Sequence, residues 1–128
     1  MKKLSKIFLV LCFLPFTLQA DSFDDVVNAM KTSNAENVSK YLNNNVELTL
    51  LENENLCSKV QAEQMLKKFF EKHQAKNLII QHRGASAQGA KYAIANYESN
   101  AGAKFRVYIF MKDTGHGMLI HELRGEKE

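Results

Sequence analysis

After Asn77 the hydrophobic pattern changes from a helical repeat to strict alternation, and this change limits what the chain can fold into. Apolar and polar residues alternate in four short segments joined by turns that contain Gly or Asn. The segments are NLIIQHRG, AKYAIANYES, AKFRVYIFMK and GMLIHELRG. This pattern predicts four strands in an antiparallel meander with one buried face.

Helical patterns precede the meander. One apolar stripe has the spacing of an amphipathic helix: Phe23, Val26, Val27 and Met30. Asn34 is placed to cap a second, short helix, and VELTLL (46–51) alternates like a strand. A third helix begins at a capping box of Ser58 and Gln61. Its apolar face consists of Ala62, Met65, Leu66, Phe69, Phe70 and His73. The order ααβαββββ predicts an α+β fold with the helices packed on one face of the sheet.

The first 20 residues have the layout of a secretory signal peptide. Lysines precede an apolar run over residues 7–16, and a short polar exit ends at Ala20. The run is shorter than the roughly 20 residues that a membrane-spanning helix needs. We therefore predict cleavage after Ala20, a single mature domain over residues 21–128, and export to the periplasm or medium without a membrane anchor.

The leader also accounts for the net charge. Of the 17 basic residues, Lys2, Lys3 and Lys6 lie in it, and none of the 14 acidic residues does, so the mature domain has 14 of each. A balanced charge without runs of one sign argues against nucleic-acid binding. Cys57 is the one cysteine left after cleavage, which excludes an internal disulfide and favours a small buried residue.

Several segments carry a resemblance to a known family: SKVQAEQMLKKFF, HRGASAQGAKYAIANY, FRVYIFMK and LIHELRGE. They look like small secreted bacterial proteins of unknown function with a nuclear transport factor 2-like fold. The resemblance implies a curved antiparallel sheet that wraps around the helices to form a cone. Ketosteroid isomerases of that superfamily use a carboxylate base and a tyrosine inside the cone. No Asp of this chain lies in a predicted strand that faces the cone, so those roles are not carried over.

The segment GHGMLIHELRG (115–125) holds two histidines and a glutamate within seven residues. In a strand, His116 and His121 point to opposite faces, so we predict no metal site here, and no cofactor. With a two-residue Thr114–Gly115 turn, Glu122 faces the cone and His121 faces out. A bulge reverses this and turns His121 inward, which avoids burying Glu122.

The turn SNAG (99–102) sets the pairing of the strands around it. As a two-residue turn, it places Asn96 opposite Phe105 and Tyr92 opposite Ile109. The apolar row of the later strand packs on the helices, so Tyr92 and Asn96 face the cone. The candidate pocket residues are His82, Tyr92, Asn96 and His121. The alternative is that they are polar groups satisfied in the core or at its rim.

Arg106, Tyr108 and Phe110 are predicted to face away from the helices. This face carries more aromatic surface than a solvated sheet needs. A homodimer formed sheet to sheet is one interpretation, and a mixed surface on a monomer is the other.

These patterns favour an exported, non-enzymatic module. It would bind a small apolar or amphipathic ligand in the cone, which needs an open cavity, or a protein partner through the sheet. One alternative is an enzyme in which His82 or His121 is the general base and Tyr92 the donor. Another is a purely structural homodimer.

Overall fold

The structure, a computed structural model, describes residues 22–128, so the predicted signal peptide and its cleavage site lie outside the described residues. The helices are α1 (Ser22–Lys31), α2 (Ala35–Ser39) and α3 (Lys59–Lys72). The strands are β1 (Leu42–Leu50), β2 (Asn53–Ser58), β3 (Ala75–Ala85), β4 (Lys91–Ser99), β5 (Lys104–Asp113) and β6 (Met118–Lys127). They form one sheet in the order β2-β1-β6-β5-β4-β3. The predicted α+β class is confirmed.

The helices form where the apolar spacing and the capping residues predict them. The α1 stripe of Phe23, Val26, Val27 and Met30 is buried. The Asn34 side chain caps α2 by accepting hydrogen bonds from two backbone N–H groups. Ser58 and Gln61 form the reciprocal capping box of α3. These caps fix where α2 and α3 begin, and the buried stripes fix which way they face.

The sheet differs from the prediction in its first strands. β1 begins at Leu42, four residues before the predicted strand at 46–51, and includes the three asparagines at positions 43–45. β2, which the sequence did not predict, pairs antiparallel with β1. β1 also pairs with β6, and that pairing is parallel. Over residues 22–128 the sheet therefore has six strands of mixed direction, because β1 inserts between β2 and the end of the meander.

The space between α3 and the sheet is filled by aromatic side chains. The Phe69 ring lies 5.7 Å from that of Tyr97 and 5.3 Å from that of Phe105, measured between centroids. His73, at the end of α3, makes an edge contact with Phe105 at 4.8 Å. Phe69, Phe70, Tyr97 and Phe105 are all buried. Since packed interiors leave few voids larger than a water molecule, these rings occupy the place where an open cone would hold a ligand.

The predicted pairing of β4 with β5 is wrong by one residue. Tyr97, not Asn96, pairs with Phe105, and Ala93, not Tyr92, pairs with Ile109. The connection is a three-residue loop rather than a two-residue turn, because the Ser99 N–H bonds to the Ala103 carbonyl. Gly102 supplies the left-handed residue that such a loop requires, with φ of +87°. Moving the register by one residue exchanges the two faces of β4.

Candidate functional site

The face of the sheet turned away from the helices carries a compact polar and aromatic grid, which we call the outer face. It has three rows on neighbouring strands: Tyr92, Ile94 and Asn96 on β4, Phe110, Tyr108 and Arg106 on β5, and Glu122, Arg124 and Glu126 on β6. The alternate residues of β5, namely Phe105, Val107, Ile109 and Met111, are buried against the helices. The buried row of β5 is therefore confirmed. Tyr92 and Asn96 lie on the opposite face from the one predicted.

Tyr92 is held at one corner of the outer face by two neighbours on β3. Gly84 pairs with Tyr92 across the strands, and the tyrosine ring covers it. A β-carbon at Gly84 would lie 2.3 Å from the Tyr92 Cζ atom, so only glycine leaves room for the ring. The Tyr92 hydroxyl is 3.1 Å from Nε2 of His82. Tyr92 is therefore fixed flat on the sheet rather than directed into the cone.

Tyr108 lies at the centre of the outer face, beside the Tyr92 ring and the Arg124 guanidinium. Its ring stacks with that of Tyr92 at 6.2 Å, and the Arg124 guanidinium carbon lies 6.0 Å from its centroid. Arg124 also forms a 2.7 Å ion pair with Glu122. Partial burial, followed by the nearby Glu122 carboxylate, raises the pKa of the Tyr108 phenol, and Arg124 opposes the shift. These contacts order the side chains of a surface that is still open to solvent.

The four predicted pocket residues do not meet inside the cone. His82 and Tyr92 converge, but on the outer face, where His82 is exposed. Asn96 is also exposed and pairs with Arg106. His121 lies on β6 at an irregularity in the pairing with β5. The prediction that Tyr92 and Asn96 line a cone pocket is wrong because of the loop length described above.

His121 is the extra residue of a β-bulge. Ile120 pairs with Met111 and Glu122 pairs with Phe110, so two steps along β6 match one step along β5. Neither of the two predicted orientations of β6, with Glu122 or with His121 facing the cone, describes the whole strand. Ile120 and Leu123 are both buried, whereas Glu122 is on the outer face. The bulge is in the strand rather than at the turn, and it leaves Nε2 of His121 buried without a hydrogen-bond partner among the described residues.

A shallow groove of about 310 Å³ lies beside the aromatic cluster, between the last turns of α3 and the β1–β2 hairpin. We call it the α3 groove. Its lining residues are Leu50, Leu51, Asn53, Met65, Lys68, Phe69, Lys72 and His73. No sequence pattern indicates this groove, because β2, which contributes Asn53 to its lining, was not predicted.

Other reactive groups offer little chemistry. Cys57 is buried, its thiol lies 3.6 Å from the Val46 carbonyl oxygen, and burial raises its pKa, which disfavours the nucleophilic thiolate. Among residues 22–128, no group of three or more His, Cys, Asp or Glu side chains could hold a metal ion. Within the same residues, no helix has the length and apolar character needed to cross a membrane.

Sequence reasoning missed three residues of the outer-face network: Gly84, Glu122 and Arg124. The signal for Gly84 was its position in a predicted strand, since an isolated glycine there often marks a close approach by another group. Arg124 and Glu122 depend on the bulge at His121. The sequence admitted a bulge but did not locate it.

Comparison with known proteins identifies the family but no activity. The family model DUF4783, described as a domain of unknown function, matches residues 23–126. A solved DUF4783 protein from Bacteroides uniformis is 25% identical, with a TM-score of 0.78 over 84% of this chain and 98% of that chain. One from Bacteroides ovatus is 26% identical, with a TM-score of 0.75 over 81% and 93%. No curated protein matches the chain.

The fold also resembles that of a designed nuclear transport factor 2-like protein with a long sheet. The TM-score is 0.62 at 17% identity, over 80% of this chain and 94% of the designed chain. This likeness concerns the fold alone, and it confirms the predicted nuclear transport factor 2-like fold. Together with the match over residues 23–126, these findings show that the chain belongs to the DUF4783 family of domains of unknown function.

Proposed function

We propose that this chain is an exported, non-enzymatic module that acts through the outer face, and that its partner there is a second copy of the same chain. The observation that carries the proposal is the composition of the nine-residue grid. Tyr108 lies at its centre, Tyr92 at one corner and Phe110 in the middle of the adjoining edge. These aromatic side chains are flanked by two arginines and two glutamates. Tyr and Arg are among the residues enriched in protein interfaces.

The distribution of charge favours a second copy over an unrelated partner. Arg106 and Arg124 are balanced by Glu122 and Glu126 within the same grid. In a two-fold symmetric contact the same patch faces itself, so an arginine of one copy can meet a glutamate of the other. A patch of a single sign would instead repel its own copy and call for an oppositely charged partner.

The size of the sheet is also adequate. Strands β3 to β6 contain 9–11 residues each. With strand spacings of about 4.8 Å and a rise of about 3.3 Å per residue, they span roughly 19 Å by 30 Å. Two such faces bury on the order of 1,100 Å², which is above the roughly 1,000 Å² expected of a specific interface.

The other proposals from the sequence have less support. A ligand inside the cone needs an open cavity, and the rings of Phe69, Tyr97 and Phe105 occupy that space. A histidine general base with a tyrosine donor has a structural counterpart in His82 and Tyr92. That pair lies on an open sheet face, however, whereas acid–base catalysis benefits from a site that excludes water.

The test is the mass of the assembly. We expect native mass spectrometry of the exported protein to detect a dimer whose chains begin at Asp21. Phe110→Glu places a carboxylate beside Glu122 on the outer face, and it should give a folded monomer. The matched control is Val60→Glu, which adds the same charge at an exposed apolar position on α3. This variant should remain a dimer.

Two results would contradict the dimer proposal: a wild-type monomer at micromolar concentrations, or a Phe110→Glu variant that still forms dimers. Circular dichroism of both variants checks that the fold is intact. An exported protein that keeps residues 1–20 would contradict the proposed processing but would leave the interface proposal standing.

A further inference from the structure

The α3 groove combines an apolar floor with a polar rim. Phe69 and Met65 of α3 form the floor together with Leu50 of β1. Leu51 projects from the β1–β2 hairpin with 40% of its surface exposed, and its backbone is left-handed, with φ of +59°. A 2.8 Å hydrogen bond from its N–H to the Gly125 carbonyl holds it there. A leucine in this backbone region is uncommon, and such outliers persist where surrounding structure fixes them.

The charged side chains that line the groove include two lysines and no carboxylate. Lys68 and Lys72 lie one turn apart on the groove side of α3, and His73 follows at the end of the helix. No acidic side chain lines the groove, and in the described part of the chain neither lysine forms a salt bridge. The C-terminus of a helix carries only about half a negative charge, so the two ammonium groups dominate. The groove therefore attracts anions.

We propose that the α3 groove binds a small amphipathic monoanion of the medium-chain carboxylate class. The carboxylate lies between Lys68 and Lys72, and the alkyl chain covers Met65, Phe69 and Leu51. The apolar floor of the groove then contacts one end of the ligand, and the charged rim binds the other end. This site lies outside the aromatic-filled cone, and the proposal does not depend on the outer face.

The volume limits the length of the chain. A groove of about 310 Å³ is at the lower end of the roughly 300–1,000 Å³ found for small-molecule sites. A ligand with a short alkyl chain, such as octanoate, suits a groove at this lower limit.

The first experiment is a titration of the purified protein with hexanoate and octanoate at concentrations where both are monomeric. Backbone NMR shifts around Met65, Phe69 and Leu51 report the site. We expect saturable binding that tightens about fourfold for each methylene added. Octyltrimethylammonium has the same tail and the opposite charge, and it should not bind.

Charge removal tests the assignment to these lysines. Lys68→Gln with Lys72→Gln should weaken octanoate binding at least tenfold. The matched control is Lys67→Gln with Lys76→Gln, which removes two exposed lysines that do not line the groove. The control should bind octanoate like the wild type. Equal unfolding transitions of both variants exclude a loss of fold.

Three results would overturn the proposal. They are the absence of saturable octanoate binding to the wild type, equally tight binding of octyltrimethylammonium, and unchanged octanoate affinity when Lys68 and Lys72 are replaced. The first two use only the wild-type protein, so the outcome does not depend on the folding of any variant.

Discussion

Tyr97 ties the sheet to the end of α3, and its ionisation should make the fold sensitive to alkali. Its side chain is buried, and its hydroxyl donates a hydrogen bond to the carbonyl oxygen of His73, the residue that ends α3. Burial raises the pKa of Tyr97 from 10.0 to about 12, with a hydrogen bond to Ser33 opposing the shift. The folded protein therefore keeps a proton that the unfolded chain releases above pH 10.

The direction and size of the effect follow from this pKa difference. The free energy that the protonated Tyr97 contributes to the folded state is complete below about pH 10 and is lost as the pH rises from about 10 to about 12. At pH 11 the unfolded state has gained about 1.4 kcal/mol from ionisation that the folded state lacks. The Tyr97→Phe variant has no phenol to ionise, so it does not undergo this decrease in stability at high pH. It also lacks the hydrogen bond to the His73 carbonyl, which is worth about 1 kcal/mol at neutral pH.

Urea unfolding followed by circular dichroism at pH 8, 9, 10 and 11 measures the difference between the two proteins. The wild type should be more stable than Tyr97→Phe by about 1 kcal/mol at pH 8, and this advantage should vanish by pH 11. Other groups that titrate in alkali are shared by both proteins and cancel in the difference. An advantage that stays constant from pH 8 to 11 would refute the assignment of a raised pKa to Tyr97.

Two further substitutions test the backbone at special positions. Leu51→Asn should change the free energy of unfolding by less than about 0.5 kcal/mol. Asn tolerates the left-handed backbone better by about 1 kcal/mol, and this gain offsets a similar loss from burying less apolar surface. A decrease of more than about 1.5 kcal/mol in urea unfolding would contradict this expectation. Gly84→Ala should destabilise by about 1 kcal/mol because its β-carbon displaces the Tyr92 ring. Gly125→Ala is its control, since a β-carbon there meets only Leu50, at 3.6 Å. Equal stability of these two alanine variants would argue against the proposed role of Gly84.

The helices were predictable because their signals are local. The Ser58–Gln61 capping box fixes the start of α3, and the spacing of Phe69 and Phe70 fixes the face that it buries. β2 was not predictable, because its sequence NENLCS has no alternation and its burial pattern is nearly all exposed. It forms because its backbone can pair with that of β1, as Cys57 does with Val46. Such a strand depends on pairing with its neighbour rather than on a hydrophobic pattern of its own.

The outer face was predictable on one strand and not on the next. On β5 every second residue from Phe105 is apolar, so the positions of Tyr108 and Phe110 follow without knowledge of the pairing. β4 has apolar or small residues on both faces, including Ile94 and Ala95, so its orientation depends on the loop alone. One additional loop residue, stabilised by Gly102, was enough to move Tyr92 from the expected cone to the outer face.

The β6 bulge follows from a comparison of energies. Without it, a regular strand would bury either Ile120 with Glu122 or His121 with Leu123. The bulge buries both Ile120 and Leu123, worth about 1.5–3 kcal/mol each, and leaves Glu122 on the outer face. Its cost is the unpartnered Nε2 of His121, about 1–3 kcal/mol for one buried polar atom. Burying an unpaired carboxylate would cost more than that, so the irregular strand is the more stable one.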